Sequence, residues 1–116
     1  MIGHETIIVS GASGTAYSDG PVMGLLEYIQ VTYTNAAATG DVTITDDEAT
    51  TSLLTLTDNT TNVSAPVRKQ AITTANSAIT GVYERIPLTS RIKVVVAQEN
   101  ANSTVQVDVW YEREDD

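Results

Sequence analysis

The side chains that most often perform catalysis are scarce in this sequence. It has no cysteine, and its one histidine, His4, lies near the beginning of the chain. A Ser-His-Asp enzyme needs an imidazole held by a buried carboxylate, which the end of a chain seldom provides. Zinc sites depend mainly on cysteine and histidine. We therefore expect His4 to be a surface residue, and we expect no enzyme activity and no cofactor.

A glycine-rich segment, residues 11–15, has part of the composition of a phosphate-binding loop. It lacks the Gly-Lys-Ser/Thr ending of a P-loop, and Thr15 stands where the hydrolase pattern G-x-S-x-G requires glycine. No helix-forming segment follows that could offer its amide groups to a phosphate. The segment is therefore interpreted as a corner between strands.

The acidic residues are the best candidates for a metal site. Asp46, Asp47 and Glu48 are consecutive, and Asp41 and Asp58 flank them. Calcium accepts loop carboxylates, but the spacing is not that of an EF-hand. Acid–base catalysis needs two carboxylates in a cleft, and nothing in the sequence specifies a cleft. We expect a solvated loop without a metal ion.

The charge balance limits the partners. The chain has 15 Asp and Glu against 6 Lys and Arg, a net charge of −9. Binding to a nucleic acid requires clustered cations, and an anionic membrane would repel this chain. No apolar run approaches the ~20 residues that span a bilayer. The N-terminus also lacks the basic and apolar regions of a secretory signal. We expect no nucleic-acid partner, no membrane partner and no export by that route.

Alternation of polar and apolar residues predicts strands along most of the chain. In the clearest segment, 103–112, four apolar residues occupy one face, and the other face carries Thr104, Gln106, Asp108 and Trp110. Further strands are predicted at 4–10, 25–34, 41–45, 51–57, 63–72, 83–88 and 91–98, although 71–78 is also compatible with a helical turn. The predicted core comprises Ile29, Val31, Ile44, Ile92, Val94, Val96, Val105, Val107 and Val109.

These elements favour an all-β fold. About seven to nine short strands separated by turn-rich segments are typical of a single-domain antiparallel β-sandwich, either jelly-roll or immunoglobulin-like. The domain would span residues 1–116. Residues 1–20 would form an N-terminal arm, and residues 112–116 an acidic C-terminal tail.

Four residues are candidates for binding a partner protein. Trp110 interrupts the polar face of its strand and Tyr28 has a similar position, and both residue types are enriched at interface anchors. Trp110 could instead be covered by a loop or by the N-terminal arm. Arg68 and Lys69 form the only adjacent basic pair. They would either protect an edge strand from unwanted pairing or contact an acidic partner surface.

Four motifs resemble a group of small β-rich proteins of tailed bacteriophages. They are DVTITDD (41–47), LLTLTD (53–58), RIKVVVAQ (91–98) and VQVDV (105–109), and the resemblance extends over residues 24–112. It implies a non-enzymatic virion structural protein, foremost a capsid decoration or cement protein. Such a protein is made in the host cytoplasm, lies on the capsid surface and binds the major capsid protein or other virion proteins.

A homo-oligomer would suit such a lattice, and a trimer is favoured because it would match threefold positions. Two alternatives stay open. The first is a head–tail (neck) or tail component, and the second is a small adhesin-like carbohydrate-binding module.

Overall fold

The computed structural model describes residues 1–113, which form eleven β-strands and no helix. The fold is all-β and antiparallel, as the alternation predicted. The strands are β1 (Ile2–Ser10), β2 (Gly14–Tyr17), β3 (Gly24–Thr34), β4 (Asp41–Asp46), β5 (Thr51–Leu56), β6 (Val63–Ala65), β7 (Lys69–Ile72), β8 (Ala78–Glu84), β9 (Pro87–Leu88), β10 (Ile92–Ala97) and β11 (Thr104–Arg113).

Two sheets pack face to face. The first sheet has the order β1-β11-β3-β6, with β9 also pairing β3, and the second has the order β2-β10-β4-β5. The antiparallel pairs are nested, because β4–β5 lies innermost in the chain and is followed outward by β3–β6, β2–β10 and β1–β11. This is the jelly-roll arrangement. The immunoglobulin-like alternative, which has a different strand order, is therefore excluded.

The core lies between the two sheets and contains the apolar stripes of both. All nine predicted core residues are buried in it. The reason is the period of two in a strand, which turns every second side chain of β3, β4, β10 and β11 inward. Ile7, Val9, Leu26 and Tyr111 also belong to the core on the side of the first sheet.

The strand prediction was wrong in the region 63–88. The single strand predicted at 63–72 is two strands, β6 and β7, and 71–78 forms no helical turn but belongs to a hairpin between β7 and β8. The interruption between β6 and β7 begins at Pro66, because proline cannot donate a hydrogen bond to a ladder. The predicted strand at 83–88 is divided between β8 and β9. These two divisions, together with the additional strand β2, raise the count to eleven strands, above the seven to nine expected.

The first 20 residues belong to the sandwich. β1 pairs with β11 along its whole length, and β2 is an edge strand of the second sheet. At the corner between them, the Gly11 amide donates a hydrogen bond of 2.8 Å to the Ser103 carbonyl. At the other end of the chain, Glu112 and Arg113 belong to β11, and the rest of the predicted acidic tail, 114–116, lies outside the described residues. No helix within residues 1–113 is long and apolar enough to cross a membrane.

Candidate functional site

Three aromatic rings meet on the outer surface of the first sheet. Strand β11 lies between β1 and β3, and its Trp110 is directly opposite His4 on one side and Tyr28 on the other. Residues opposite each other in neighbouring strands project from the same face. His4 stacks on Trp110 with 4.6 Å between ring centroids and 7° between planes. Tyr28 approaches the same indole edge-on at 6.0 Å and 67°. We call this cluster of His4, Tyr28 and Trp110, with Asp108, the aromatic face.

Asp108 fixes the histidine. His4 Nε2 lies 2.9 Å from Asp108 Oδ1, and the Thr6 hydroxyl donates to the same oxygen at 2.7 Å. The Gln106 amide donates to the other oxygen at 3.0 Å. Burial disfavours the charged carboxylate, but these hydrogen bonds outweigh burial and place the pKa of Asp108 below its ordinary value. An ionised carboxylate can only accept, so Nε2 of His4 carries the donated proton.

The N-terminal segment covers Trp110 in part, which was one of its two interpretations. Its ring lies on the outer face, as the alternation predicted, but it is half-buried because His4 of β1 covers it. His4 is a surface residue, with 46 % of its side chain exposed. It is held in a paired strand, however, and not in a frayed terminus. The Tyr28 hydroxyl is 2.7 Å from Ser64 Oγ of β6, so four strands, β1, β11, β3 and β6, hold the cluster.

Arg68 lies beside the edge of the same sheet, whereas Lys69 belongs to a separate one. Arg68 Nη1 donates to the carbonyl oxygens of Glu27, at 3.1 Å, and Val67, at 3.0 Å. Arg68 therefore lies beside the residue that precedes Tyr28. Lys69 begins β7 and is paired in register with Glu84 of β8. The structure thus brings Trp110, Tyr28 and Arg68 into one region, whereas Lys69 belongs to the neighbouring hairpin.

The hairpin formed by β7 and β8, residues 69–84, projects from the sandwich. The two strands form a sheet of their own, and every residue of β8 is exposed. Its large apolar side chains include Tyr83, which is 63 % exposed, together with Ile72, Ile79 and Val82. No charged residue occurs between positions 70 and 83. This projecting hairpin was not singled out from the sequence, although its uncharged stretch in so acidic a chain was a visible signal.

Two depressions meet at Thr89, the residue that follows β9. The first, the apolar groove, has a volume of about 440 Å³, and its apolar lining comprises Met23, Leu25, Pro87 and Leu88. The second, the acidic depression, has a volume of about 360 Å³, and its charged lining comprises Asp19, Asp47, Glu48 and Arg91. Thr89 lines both. The two depressions therefore form a continuous surface with an apolar and an acidic part.

Two of the five carboxylates considered as metal ligands, Asp46 and Asp41, accept hydrogen bonds from protein groups. Asp46 is buried, and it accepts hydrogen bonds from the Thr89 amide, at 2.8 Å, and from the Thr89 and Ser90 hydroxyls. Burial raises its pKa, but these hydrogen bonds outweigh burial, and the pKa of Asp46 lies below its ordinary value. Asp41 accepts from the Asp58 amide at 3.0 Å. Within residues 1–113, no group of three or more His, Cys, Asp or Glu side chains could hold a metal ion.

Comparisons with protein-family models, with curated proteins and with solved structures found no match. The candidate site is therefore judged by its own geometry. That geometry offers two kinds of surface: a rigid aromatic face on the first sheet, and a projecting apolar hairpin beside a groove.

Proposed function

We propose that this chain is a non-enzymatic virion structural protein of a tailed bacteriophage, a capsid decoration or cement protein on the outer surface of the head. In this proposal the aromatic face binds the major capsid protein. The observation that supports the proposal best is that Trp110 is held between His4 and Tyr28 on the outer surface of a sheet. Trp and Tyr are the residues that most often anchor protein interfaces.

The fixed geometry favours binding. Immobilising a flexible side chain on association costs roughly 0.5–1.5 kcal/mol, and a side chain that is already fixed avoids that cost. The stacking of His4 and the hydrogen bond between Tyr28 and Ser64 fix the aromatic face before any partner arrives. A preorganised face on a rigid sandwich suits a protein that must dock on a repeating lattice.

The jelly-roll architecture supports the same proposal. Jelly rolls include viral capsid domains as well as lectins, although a fold by itself does not define a function. A cement protein acts where capsid subunits meet, and many modest contacts engaged together give a high overall avidity. A small, acidic and rigid domain that exposes an aromatic cluster fits that task.

A carbohydrate-binding module is the second candidate. It is favoured by the hydrogen-bonding side chains beside Trp110, chiefly Gln30 and Gln106, which lie on the same face. Against it, His4 already covers one face of the indole, where a sugar ring would stack, and the oxygens of Asp108 already accept hydrogen bonds from protein groups. The protein-binding function therefore agrees better with the geometry.

The first experiment is a quantitative mass-spectrometric inventory of purified phage particles from a culture that encodes this chain. A decoration protein is expected in a copy number comparable to that of the capsid subunits. A few copies per particle would instead indicate a neck or tail component. Absence from the particles would overturn the proposal.

The second experiment compares the binding of variants to particles that lack the protein. Trp110→Ala is expected to weaken binding by about 2 kcal/mol per interface, or about thirtyfold. The control is Tyr17→Ala, which removes an exposed aromatic residue from the second sheet and should bind like wild type. Equal binding of both variants would contradict the role of the aromatic face. Binding to a glycan array that is lost in Trp110→Ala, without binding to particles, would favour the carbohydrate-binding module.

A further inference from the structure

The projecting hairpin lacks a packing partner within its own sandwich. A two-stranded hairpin alone is at best marginally stable in water, and this one forms a separate sheet with all of β8 exposed. Large apolar side chains are exposed on both faces of β8, Tyr83 by 63 % on one face and Val82 by 47 % on the other. Contiguous exposed apolar side chains on a soluble protein often mark a contact surface. The hairpin therefore has the properties of one half of an interface.

The apolar groove has the properties of the other half. It lies on the same chain, is lined by Met23, Leu25, Pro87 and Leu88, and its volume of about 440 Å³ is ample for large apolar side chains. Met23, at its rim, is 50 % exposed. Pockets that receive anchor residues are typically apolar with a few polar groups, and this groove has that composition.

The charges around the two surfaces are complementary. Arg68 and Lys69 precede the uncharged stretch of the hairpin. Lys69 is next to Gln70, which pairs with Tyr83. The apolar groove is continuous with the acidic depression through Thr89. Glu84 is paired opposite Lys69 and Arg91 lines the depression, so the base of the hairpin keeps a net positive charge and the depression a net negative one. An apolar patch beside a net positive charge thus matches an apolar groove beside a net negative depression. Complementary charge of this kind steers association and fixes its register.

We propose that the projecting hairpin of one copy docks in the apolar groove of a second copy of this chain. Tyr83 enters the groove, and Arg68 and Lys69 face the acidic depression. Two copies with a net charge of −9 each repel one another over most of their surface. The stretch without charge, preceded by the basic pair, is where that repulsion is smallest.

The contact between hairpin and groove allows two closed assemblies. A reciprocal exchange of hairpins between two copies gives a twofold dimer, and a head-to-tail contact gives a ring when the rotation between neighbours closes. Such a ring presents several aromatic faces in a fixed arrangement, as docking on a symmetric lattice requires. The inference thus deepens the proposed virion function by naming a partner of the same protein, but it is measurable without any particle.

The test uses the full chain and sedimentation velocity over a concentration series. Wild type is expected to self-associate. Tyr83→Asp removes the inserting side chain, Met23→Asp alters the rim of the groove, and each is expected to weaken self-association at least about thirtyfold, the equivalent of a hot spot of about 2 kcal/mol. The control is Ile8→Asp, which introduces the same charge at a side chain that is 53 % exposed on the outer face of β1. It should associate like wild type.

Mixing the two defective variants gives the decisive result. Tyr83→Asp still offers an intact groove and Met23→Asp an intact hairpin, so an equimolar mixture should form one-to-one heterodimers that grow no further. A mixture that stays monomeric overturns the proposal, as does a wild type that stays monomeric up to about 1 mM. Association that both variants leave unchanged would assign the interface elsewhere. If the wild type self-associates but does not bind particles, the proposed virion function is overturned and the proposed self-association stands.

Discussion

The aromatic face and the projecting hairpin are both exposed β-structure, yet they differ in how their side chains are partnered. On the aromatic face, His4, Tyr28 and Trp110 contact one another, and Asp108 accepts three hydrogen bonds. On the hairpin, large apolar side chains are exposed beside an uncharged stretch. The side chains of the aromatic face are held in place by contacts within their own sheet. The apolar side chains of the hairpin have no such contacts and stay exposed.

Glycine substitutions should give the largest difference between the two regions. Gly24 in the first sheet and Gly81 in the hairpin both have positive φ, +146° and +81°. A Cβ at Gly24 would also overlap the backbone carbonyl of Glu112, whereas the space around Gly81 is open. In urea denaturation, Gly24→Ala should lower the free energy of unfolding by about 3 kcal/mol or more. Gly81→Ala should lower it by only about 1 kcal/mol. Equal losses would show that the hairpin is as constrained as the sheet.

A valine-to-alanine substitution in each of the two regions should give the next largest difference in the free energy of unfolding. Val107 is fully buried under the first sheet, whereas Val82 is 47 % exposed on the hairpin. Val107→Ala leaves a cavity and should cost about 2 kcal/mol. Val82→Ala should change stability by less than about 0.5 kcal/mol. Chemical denaturation of both variants at low protein concentration measures this, and a large loss in Val82→Ala would reveal packing of the hairpin within the monomer.

A smaller effect is expected from the carboxylate of the aromatic face. Asp108→Asn should lower the free energy of unfolding by about 1–2 kcal/mol at neutral pH, because charged hydrogen bonds are weakened. The matched control, Glu84→Gln on the hairpin, is exposed and should change it by less than about 0.5 kcal/mol. If the two variants lose the same stability, the hydrogen bonds of Asp108 do not fix the face.

The pH dependence of stability has a definite sign. Because the pKa of Asp108 in the folded state lies below its ordinary value, its stabilising effect is present above the unfolded pKa of about 3.9 and is lost as the pH falls through the folded pKa. Asp46 acts in the same direction. Thermal melting between neutral pH and about pH 3 should show a falling melting temperature, and a smaller fall in Asp108→Asn. An identical fall in both proteins would contradict this.

The smallest effect is expected from shortening the projecting hairpin. Replacing residues 70–83 with a short turn should shift the melting temperature of the monomer by less than about 3 °C, because little apolar surface of the monomer is lost. The same variant should abolish the self-association proposed above. A drop of many degrees at a concentration where the wild type is monomeric would make the hairpin part of the core.

The sequence predicted the elements that depend on local periodicity. The all-β class and all nine core residues follow from alternation in β3, β4, β10 and β11, since side chains two apart share a face. The position of Trp110 on the outer surface follows in the same way. The hairpin did not follow, because its strands pair with a register shift between Gln70 and Ile72 and bury almost nothing.

Sequence alone thus determined the fold class, the core stripes and the outer position of Trp110, because these depend on neighbours along the chain. Tertiary structure decided the jelly-roll order, the stacking of His4 on Trp110 and the juxtaposition of groove and acidic depression. His4 and Asp108 are separated by 104 positions yet lie 2.9 Å apart. Such contacts arise only when distant strands pair, and no local pattern encodes which strand becomes the neighbour.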